Sequence, residues 1–140
     1  MTLKASALTI GQEFSAVVVD NLTRTQIVQY AGASGDYNPL HTDDLFAREV
    51  AGYPGVFAHG MLSMGATGRL ITDVVGADRL RTYGVRFSKQ VWPGDTLTAT
   101  ARVDGIRDDG GEHLVDLVIT TVNQDGEVVV TGSATARIDP

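Results

Sequence analysis

The chain has 140 residues, of which 43% are hydrophobic and 20% charged, with no cysteine and a formal net charge of −6. This composition allows a hydrophobic core without disulfides or metal, so we expect one globular domain over residues 1–140. The missing cysteines exclude thiol catalysis and zinc ribbons, and the acidic balance argues against binding to nucleic acid or membrane surfaces. The chain has no apolar run of roughly 18 residues and no signal-peptide pattern at its start, so a cytoplasmic location is predicted.

The first half of the chain predicts one strand followed by helices. Phe14–Asp20 is rich in β-branched residues, and the spacing of Thr23 and Gln26 is typical of a capping box that begins a helix. That helix is expected to end at Gly35, which can adopt the left-handed conformation of a helix terminus. Its apolar face is expected to consist of Ile27, Val28, Tyr30 and Ala31.

A second, short helix is predicted after Thr42, where Asp43 and Asp44 suit the positive end of the helix dipole. It is expected to end at Gly52, ahead of a turn at Tyr53–Gly55. Its buried side is expected to consist of Leu45, Phe46 and Val50.

The segment Gly60–Val75 predicts a longer helix, about 24 Å from end to end. Apolar residues lie on nearly every side of it, including Met61 and Met64, so it is expected to be buried all round. Its middle is almost free of side chains, which predicts close approach by other backbone. The small residues there are Gly65, Ala66 and Gly68.

The remainder of the chain predicts antiparallel strands joined by tight turns, because apolar and polar residues alternate between glycine-rich dipeptides. One long buried helix beside such strands indicates an α+β domain whose antiparallel sheet curls around the helix. The alternating segments are Tyr83–Phe87, Leu97–Val103, His113–Val122 and Val128–Ile138, and the turns are Trp92–Asp95, Asp108–Gly111 and Asp125–Gly126.

The loop between the first two helices carries the residues best suited to catalysis. Pro39 forces Asn38 out of the helical region, and the Asn38 side chain can tighten the turn by bonding to the following backbone. This stiff loop is expected to fold Asp36 and His41 toward each other. A carboxylate and an imidazole that face one pocket can hold and deprotonate a water molecule.

Three alternatives compete with that interpretation. Asp36 could cap a backbone turn while His41 caps the next helix, which would give both residues a purely structural role. Asp36, His41 and His59 could instead form a metal triad, but they lack the ligand spacing of a regular element, so no metal is predicted. Ser34 and Ser63 lack the glycine-flanked elbow of a serine hydrolase.

The start of the long helix is a second candidate feature. Its first turn presents unpaired N–H groups and a partial positive charge, and Gly60 leaves the approach open. Placed over a pocket, this helix end would stabilise negative charge on a carbonyl oxygen. Taken alone the signal is weak, since every helix has such an end.

Three segments together resemble the MaoC-like, (R)-specific enoyl-CoA hydratase family. Tyr30–His41 contains an Asp-x-Asn-Pro-x-His core, Phe57–Leu62 contains the following His-Gly-Met, and Val85–Asp95 matches a strand and turn common in that family. In detail, the segments are similar to those of actinobacterial members, including (3R)-hydroxyacyl-ACP dehydratase subunits of mycolic-acid synthesis. It implies a hot-dog fold and a dimer. Some members carry a serine where Gly68 aligns, so acyl chain length stays open.

The resemblance also implies roles for individual residues. Asp36 and His41 would activate water, the Gly60 N–H would bind the thioester carbonyl oxygen, and Asn38 would shape the loop. The implied reaction joins trans-2-enoyl thioester and water to give the (3R)-3-hydroxyacyl thioester, with no metal or organic cofactor. The expected substrate is an acyl-CoA or acyl-ACP thioester, and the expected assembly is a homodimer, with a heterodimer as the alternative.

Other functions stay open at this point. A dehydratase subunit of fatty-acid or mycolic-acid synthesis would use the same site but need a partner subunit. A non-catalytic acyl-thioester-binding subunit would keep the fold without the reaction. A thioesterase would place a carboxylate on or near the long helix, where this chain has only Asp73, close to the far end.

Overall fold

The computed structural model describes residues 3–140, which form five antiparallel strands and two α-helices. The helix α2 lies against the concave face of the sheet and contacts β1, β2, β3 and β5. This arrangement is the predicted α+β architecture. In chain order the elements are β1 (Glu13–Val19), α1 (Arg24–Ser34), α2 (Gly60–Val75), β2 (Leu80–Phe87), β3 (Leu97–Asp109), β4 (Glu112–Val122) and β5 (Val128–Ile138).

The sheet has the strand order β1-β3-β4-β5-β2, so β1 and β2 form its two edges. Alternate residues of the inner strands point to one face, and these side chains make the core that packs against α2. The side chains on that face are fully buried because the strands cover them on one side and α2 covers them on the other. The fully buried positions include Leu97, Ala99, Ala101 and Val103 of β3, Val115 and Ile119 of β4, and Ile71 of α2.

Helix α1 begins and ends as predicted. The Gln26 N–H donates to the Thr23 hydroxyl at 3.0 Å and the Thr23 N–H donates to the Gln26 side chain at 2.9 Å, which completes the capping box. Gly35 has φ +76° at the other end. The apolar face is narrower than predicted, since Ile27 and Ala31 are buried but Val28 is 54% exposed.

The short helix after Thr42 forms, but its predicted buried side is wrong at two of its three residues. Leu45 and Val50 are exposed, Phe46 is half-buried, and Ala47 is the buried residue. Phe46–Val50 is a π-helical turn closed by a hydrogen bond from the Ala51 N–H to the Phe46 carbonyl at 3.1 Å. The wider turn rotates the side chains relative to a 3.6-residue period, so the α-helical pattern selects the wrong face.

Helix α2 has the predicted bounds, but its burial is one-sided. Met61 is 56% exposed, and the buried residues include the polar Ser63 and Thr67. The reason is that the sheet covers only one face. Neither α2 nor any other helix within residues 3–140 is long and apolar enough to cross a membrane.

Among the small residues in the middle of α2, Gly68 accepts an aromatic ring rather than backbone. A side chain on Gly68 would lie 3.1 Å from the Tyr83 ring, and nothing lies within 4 Å of Gly65. The Tyr83 hydroxyl donates to the Met64 carbonyl at 2.7 Å, and burial raises the pKa of Tyr83 to about 12. Tyr83 therefore joins the edge strand β2 to the middle of the helix.

The strands extend further into the β3–β4 turn than predicted. Asp108 and Asp109 belong to β3, and the turn itself is Gly110–Gly111, with φ values of +58° and +85°. Two successive positive φ angles define a type I′ hairpin, which matches the twist of the flanking strands. The turn at Asp125–Gly126 falls where the sequence predicts it, with Gly126 at φ +76°.

Substitution of Gly132 tests the contact between the edge strand β2 and β5. A Cβ atom at this position would lie 2.2 Å from the Gly84 carbonyl oxygen, so Gly132→Ala must push the two strands apart. We expect it to lower the free energy of unfolding by about 1–3 kcal/mol, measured by chemical denaturation. Gly32→Ala is the matched control, because nothing lies within 4 Å of Gly32 in α1. It should stabilise the protein by up to about 1 kcal/mol. Equal effects of the two substitutions would contradict this packing.

Candidate active site

The loop after α1 is held by a chain of side-chain to backbone hydrogen bonds. The Asp36 N–H donates to the Ser34 hydroxyl at 3.2 Å, and the Asn38 N–H donates to Asp36 Oδ1 at 3.2 Å. The Leu40 N–H then donates to Asn38 Oδ1 at 3.0 Å, at the start of a 3₁₀ turn over Pro39–His41. The Asn38 contact is the one that a loop-shaping residue requires.

This loop brings Asp36 and His41 together, as the sequence predicts. Asp36 Oδ2 lies 3.9 Å from His41 Nε2, too far for a direct hydrogen bond. The Asp36 side chain is 54% exposed, whereas that of His41 is 10% exposed. The gap between the two side chains is therefore open to solvent on the Asp36 side and enclosed by protein on the His41 side.

The purely structural alternative holds in part for Asp36 and does not hold for His41. Asp36 does cap a backbone turn, but it uses Oδ1 for this and leaves Oδ2 facing His41. The following helix is capped by Asp43, whose Oδ1 accepts the N–H groups of Leu45 and Phe46 at 3.0 and 3.1 Å. His41 makes no such cap. A turn-capping role and a place in the pair are compatible for Asp36.

His41 is fixed in one tautomer by the backbone. Its Nδ1 lies 2.6 Å from the Phe57 carbonyl oxygen, and a carbonyl can only accept a hydrogen bond. Nδ1 therefore carries the hydrogen in the neutral ring. Nε2 is left with a lone pair directed at the gap beside Asp36.

His59 is a structural hydrogen-bonding residue that supports both members of the pair, through partners that the sequence does not reveal. Its Nε2 donates to the Asp36 carbonyl oxygen at 3.0 Å, and its ring stacks on His41 with centroids 3.8 Å apart and planes inclined by 22°. Tyr30 packs against the ring at 4.8 Å. His59 is 2% exposed and has no partner at Nδ1 within residues 3–140.

Asp44 anchors the loop from a different side. Its Oδ1 accepts the Val56 N–H at 3.0 Å and its Oδ2 pairs with Arg24 of α1. The Arg24 guanidinium and the Val56 N–H together hold the pKa of Asp44 below its usual value. The sequence predicts only a helix-dipole role for this carboxylate. Its actual partners join α1 to the segment that leads into α2.

The same three side chains are the candidate metal ligands. One ligand atom from each of Asp36, His41 and His59 lies within 4.8 Å of the other two. A metal binds imidazole in the plane of the ring at about 2.0–2.1 Å. The two rings stack with their centroids 3.8 Å apart and their planes inclined by 22°, so their in-plane lone pairs do not converge on one ion. Absence of a metal stays a prediction, and the ring geometry favours it.

A cavity of about 300 Å³ lies between the start of α2 and the segment after β2. Asp36 and His41 do not line it themselves, but the cavity wall includes Phe57, whose carbonyl binds His41. The other lining residues are Ala58, Gly60, Ser63, Phe87, Ser88, Lys89, Gln90, Val91, Val129 and Val130.

Gly60 is the first residue of α2, and its N–H has no acceptor within residues 3–140. A Cβ atom at this position would lie 3.0 Å from the Phe87 ring, so glycine lets that ring lie close to the helix start. The free N–H belongs to a residue that lines the cavity. This is the arrangement that a carbonyl-binding role requires.

Comparison with known proteins places the chain in a family. The model of the MaoC like domain matches residues 5–124, and the chain belongs to this family. The antiparallel sheet around α2 is the hot-dog fold that the resemblance implies. The (R)-specific enoyl-CoA hydratase of Aeromonas caviae is 28% identical over 138 residues, which cover 97% of this chain and 99% of that protein.

Two further proteins are similar to this chain, one in sequence and one in structure. The 3-hydroxyacyl-thioester dehydratase Y of Mycobacterium tuberculosis is 37% identical over 83 residues, which cover 57% of this chain and 29% of that protein. The structure of R-hydratase PhaJ1 from Pseudomonas aeruginosa superposes with a TM-score of 0.84 and 25% identity, covering 99% of this chain and 86% of that chain. The chain spans less than a third of the first curated relatives it matches, at 29%, 4% and 32% of their length.

The hydrogen bonds predict opposite tautomers for two neighbouring histidines. In ¹⁵N-labelled protein, at a pH where both rings are neutral, His41 should show a protonated Nδ1 and a bare Nε2, because Nδ1 donates to Phe57. His59 should show the reverse, because Nε2 donates to Asp36. Ring ¹⁵N chemical shifts measure this directly, and each histidine is the control for the other. A protonated Nε2 on His41 would contradict the described geometry.

Proposed function

We propose that the chain catalyses the reversible addition of water to a trans-2-enoyl thioester, giving the (3R)-3-hydroxyacyl thioester. The observation that carries this proposal is the pair of proton acceptors, Asp36 Oδ2 and His41 Nε2, held 3.9 Å apart. His41 is bonded to the carbonyl of Phe57, which lines the same cavity as Gly60 with its free N–H. The names of the Aeromonas and Mycobacterium relatives support the same reaction class.

The pair is suited to orient one water molecule. An ionised carboxylate has no hydrogen to donate, and Nε2 of the neutral His41 has none either, so both groups accept. A water between them directs its two O–H bonds at Asp36 and His41 and turns a lone pair away from both. That lone pair is the nucleophile that adds to C3 of the enoyl thioester, as one acceptor takes the proton.

The same pair completes the reaction at C2. After the proton leaves the water, the addition places electron density on the thioester carbonyl oxygen as an enolate. A proton returned to C2 gives the hydroxyacyl product and leaves Asp36 and His41 as they began. Both groups accept a hydrogen bond from the same water, so the proton is assigned to the pair as a whole.

The Gly60 N–H supplies the third part of the site. The carbonyl oxygen carries only partial charge in the substrate but a larger charge in the enolate. A donor fixed in the first turn of α2 is already oriented, and the helix dipole adds to its effect. This interaction favours the transition state over the ground state, which is what accelerates a reaction.

The dehydratase direction uses the same residues, since the catalyst of an addition also catalyses the elimination. A heteromeric dehydratase of fatty-acid or mycolic-acid synthesis is therefore the second candidate, supported by the match to dehydratase Y. A thioesterase is disfavoured, because Asp73 is the only acidic residue of α2 and is exposed. The proposal also includes an acyl-CoA or acyl-ACP substrate, the predicted cytoplasmic location and a single domain over residues 1–140.

The proposed assembly is a homodimer, with a heterodimer as the alternative. The edge strand β2 pairs only with β5 among the described strands, and an unpaired edge is suited to further strand addition. Two large apolar side chains beside the cavity are uncovered, with Phe87 51% and Met61 56% exposed. A second copy would cover them.

The purified chain, without any partner, tests the reaction and the assembly together. We expect a dimer mass, loss of the enoyl absorbance of crotonyl-CoA, and a (3R)-3-hydroxybutyryl thioester on chiral analysis. Treatment with EDTA should leave the rate unchanged. A 3S product, release of free thiol at a comparable rate, or activity that zinc restores after EDTA would each overturn the assignment.

Substitution of the pair tests the shared water. Asp36→Asn and His41→Ala should each lower kcat by roughly 10²–10⁴, the usual contribution of general acid–base groups. Because both groups act on one water, the double variant should be scarcely slower than the slower single variant. Rate losses that multiply in the double variant would show that the two residues act independently.

Gly60→Pro tests the carbonyl donor, because it removes the N–H at a helix position where proline is tolerated. We expect kcat to fall by about 10²–10³. Gly60→Ala keeps the N–H and displaces only the half-exposed Phe87 ring, so it is the matched control. The comparison requires both variants to be folded by circular dichroism. A folded Gly60→Pro variant with wild-type kcat would refute this role.

A further inference from the structure

The cavity beside Gly60 is lined by a polar side chain that the mechanism above leaves unused. Ser63 is 2% exposed and lines the cavity, and its hydroxyl makes no hydrogen bond to any residue from 3 to 140. Thr67, one turn further along α2, differs in this respect. Its hydroxyl is paired with that of Thr121 at 2.7 Å, and Thr67 does not line the cavity.

The position of Ser63 on the helix directs its hydroxyl toward Gly60. Residues three apart lie on the same helix face, and each Cα–Cβ bond tilts toward the helix N-terminus. The Ser63 side chain therefore extends over the turn that begins with Gly60. Ser63 and Gly60 both line the cavity, close to the same end of α2.

We propose that Ser63 is a second hydrogen-bond donor to the thioester carbonyl oxygen, so that Gly60 and Ser63 together bind the enolate. This inference rests on the proposed hydratase function. A carbonyl oxygen has two lone pairs, and the Gly60 N–H occupies one of them. The Ser63 hydroxyl has no hydrogen-bond partner among residues 3–140, and a ligand oxygen in the cavity that Ser63 lines would supply one.

The test compares three variants with crotonyl-CoA as substrate. Ser63→Ala should lower kcat on the order of 10²-fold with little change in KM, because the bond is strongest in the transition state. Ser63→Thr keeps a hydroxyl and should retain most of the rate. Thr67→Val removes a buried hydroxyl that does not face the cavity, so it should lower the Tm and leave kcat unchanged.

Two measurements separate this role from a structural one. Ser63→Ala should melt at or above the wild-type Tm, since the lost hydroxyl has no protein partner. Infrared spectra of bound butyryl-CoA, ¹³C-labelled at the carbonyl, should show a higher stretching frequency in Ser63→Ala than in the wild type. Butyryl-CoA lacks the double bond and cannot be hydrated, so this readout does not depend on turnover.

The outcomes are distinguishable. If the wild type hydrates crotonyl-CoA but Ser63→Ala keeps the wild-type kcat and carbonyl frequency, the inference about Ser63 is wrong and the proposed function stands. If the wild type neither hydrates crotonyl-CoA nor binds butyryl-CoA, the proposed function fails and the inference fails with it. A lower Tm for Ser63→Ala, with a proportionate loss of active protein and no change in kcat, would assign Ser63 a structural role.

Discussion

The stacking of His41 on His59 is the contact on which the rest of the site depends. The two rings lie 3.8 Å apart, and each donates one N–H to a backbone carbonyl, His41 to Phe57 and His59 to Asp36. These bonds cross, because each histidine binds the segment next to the other one. The catalytic loop and the start of α2 are thereby held in one register, and Gly60 follows directly after His59.

The crossed bonds also set the chemistry of the free ring atoms. A neutral His41 that donates through Nδ1 must present a bare Nε2, and this atom faces the Asp36 carboxylate at 3.9 Å. The bare Nε2 of His41 therefore follows from the hydrogen bond that its ring makes to the backbone.

Local sequence predicts the parts of the fold and site that depend on short-range contacts. The capping box of Thr23 and Gln26, the positive φ of Gly35 and the loop stiffened by Asn38 all involve residues a few positions apart. The meeting of Asp36 and His41 is predictable for the same reason. Gly60–Val75 is a helix as its apolar composition predicts, and it ends at Gly76, which has φ +96°.

The features that sequence does not reveal depend on distant contacts. The bond from His59 to Asp36 joins residues 23 positions apart, and Tyr83 reaches Gly68 from a different element. The exposure of Met61 reflects a sheet that covers only one face of α2, which periodicity within the helix does not encode. The π-helical turn shifts the buried side from Leu45 and Val50 to Ala47, since its period differs from that of an α-helix.

The water held between Asp36 and His41 is the central claim, and neutron diffraction from deuterium-exchanged crystals tests it most directly. We expect one water within hydrogen-bond distance of both Asp36 Oδ2 and His41 Nε2, with its two deuterium atoms directed at them and deuterium on His41 Nδ1. A deuterium on His41 Nε2 bonded directly to the Asp36 carboxylate, with no water between the two groups, would contradict it.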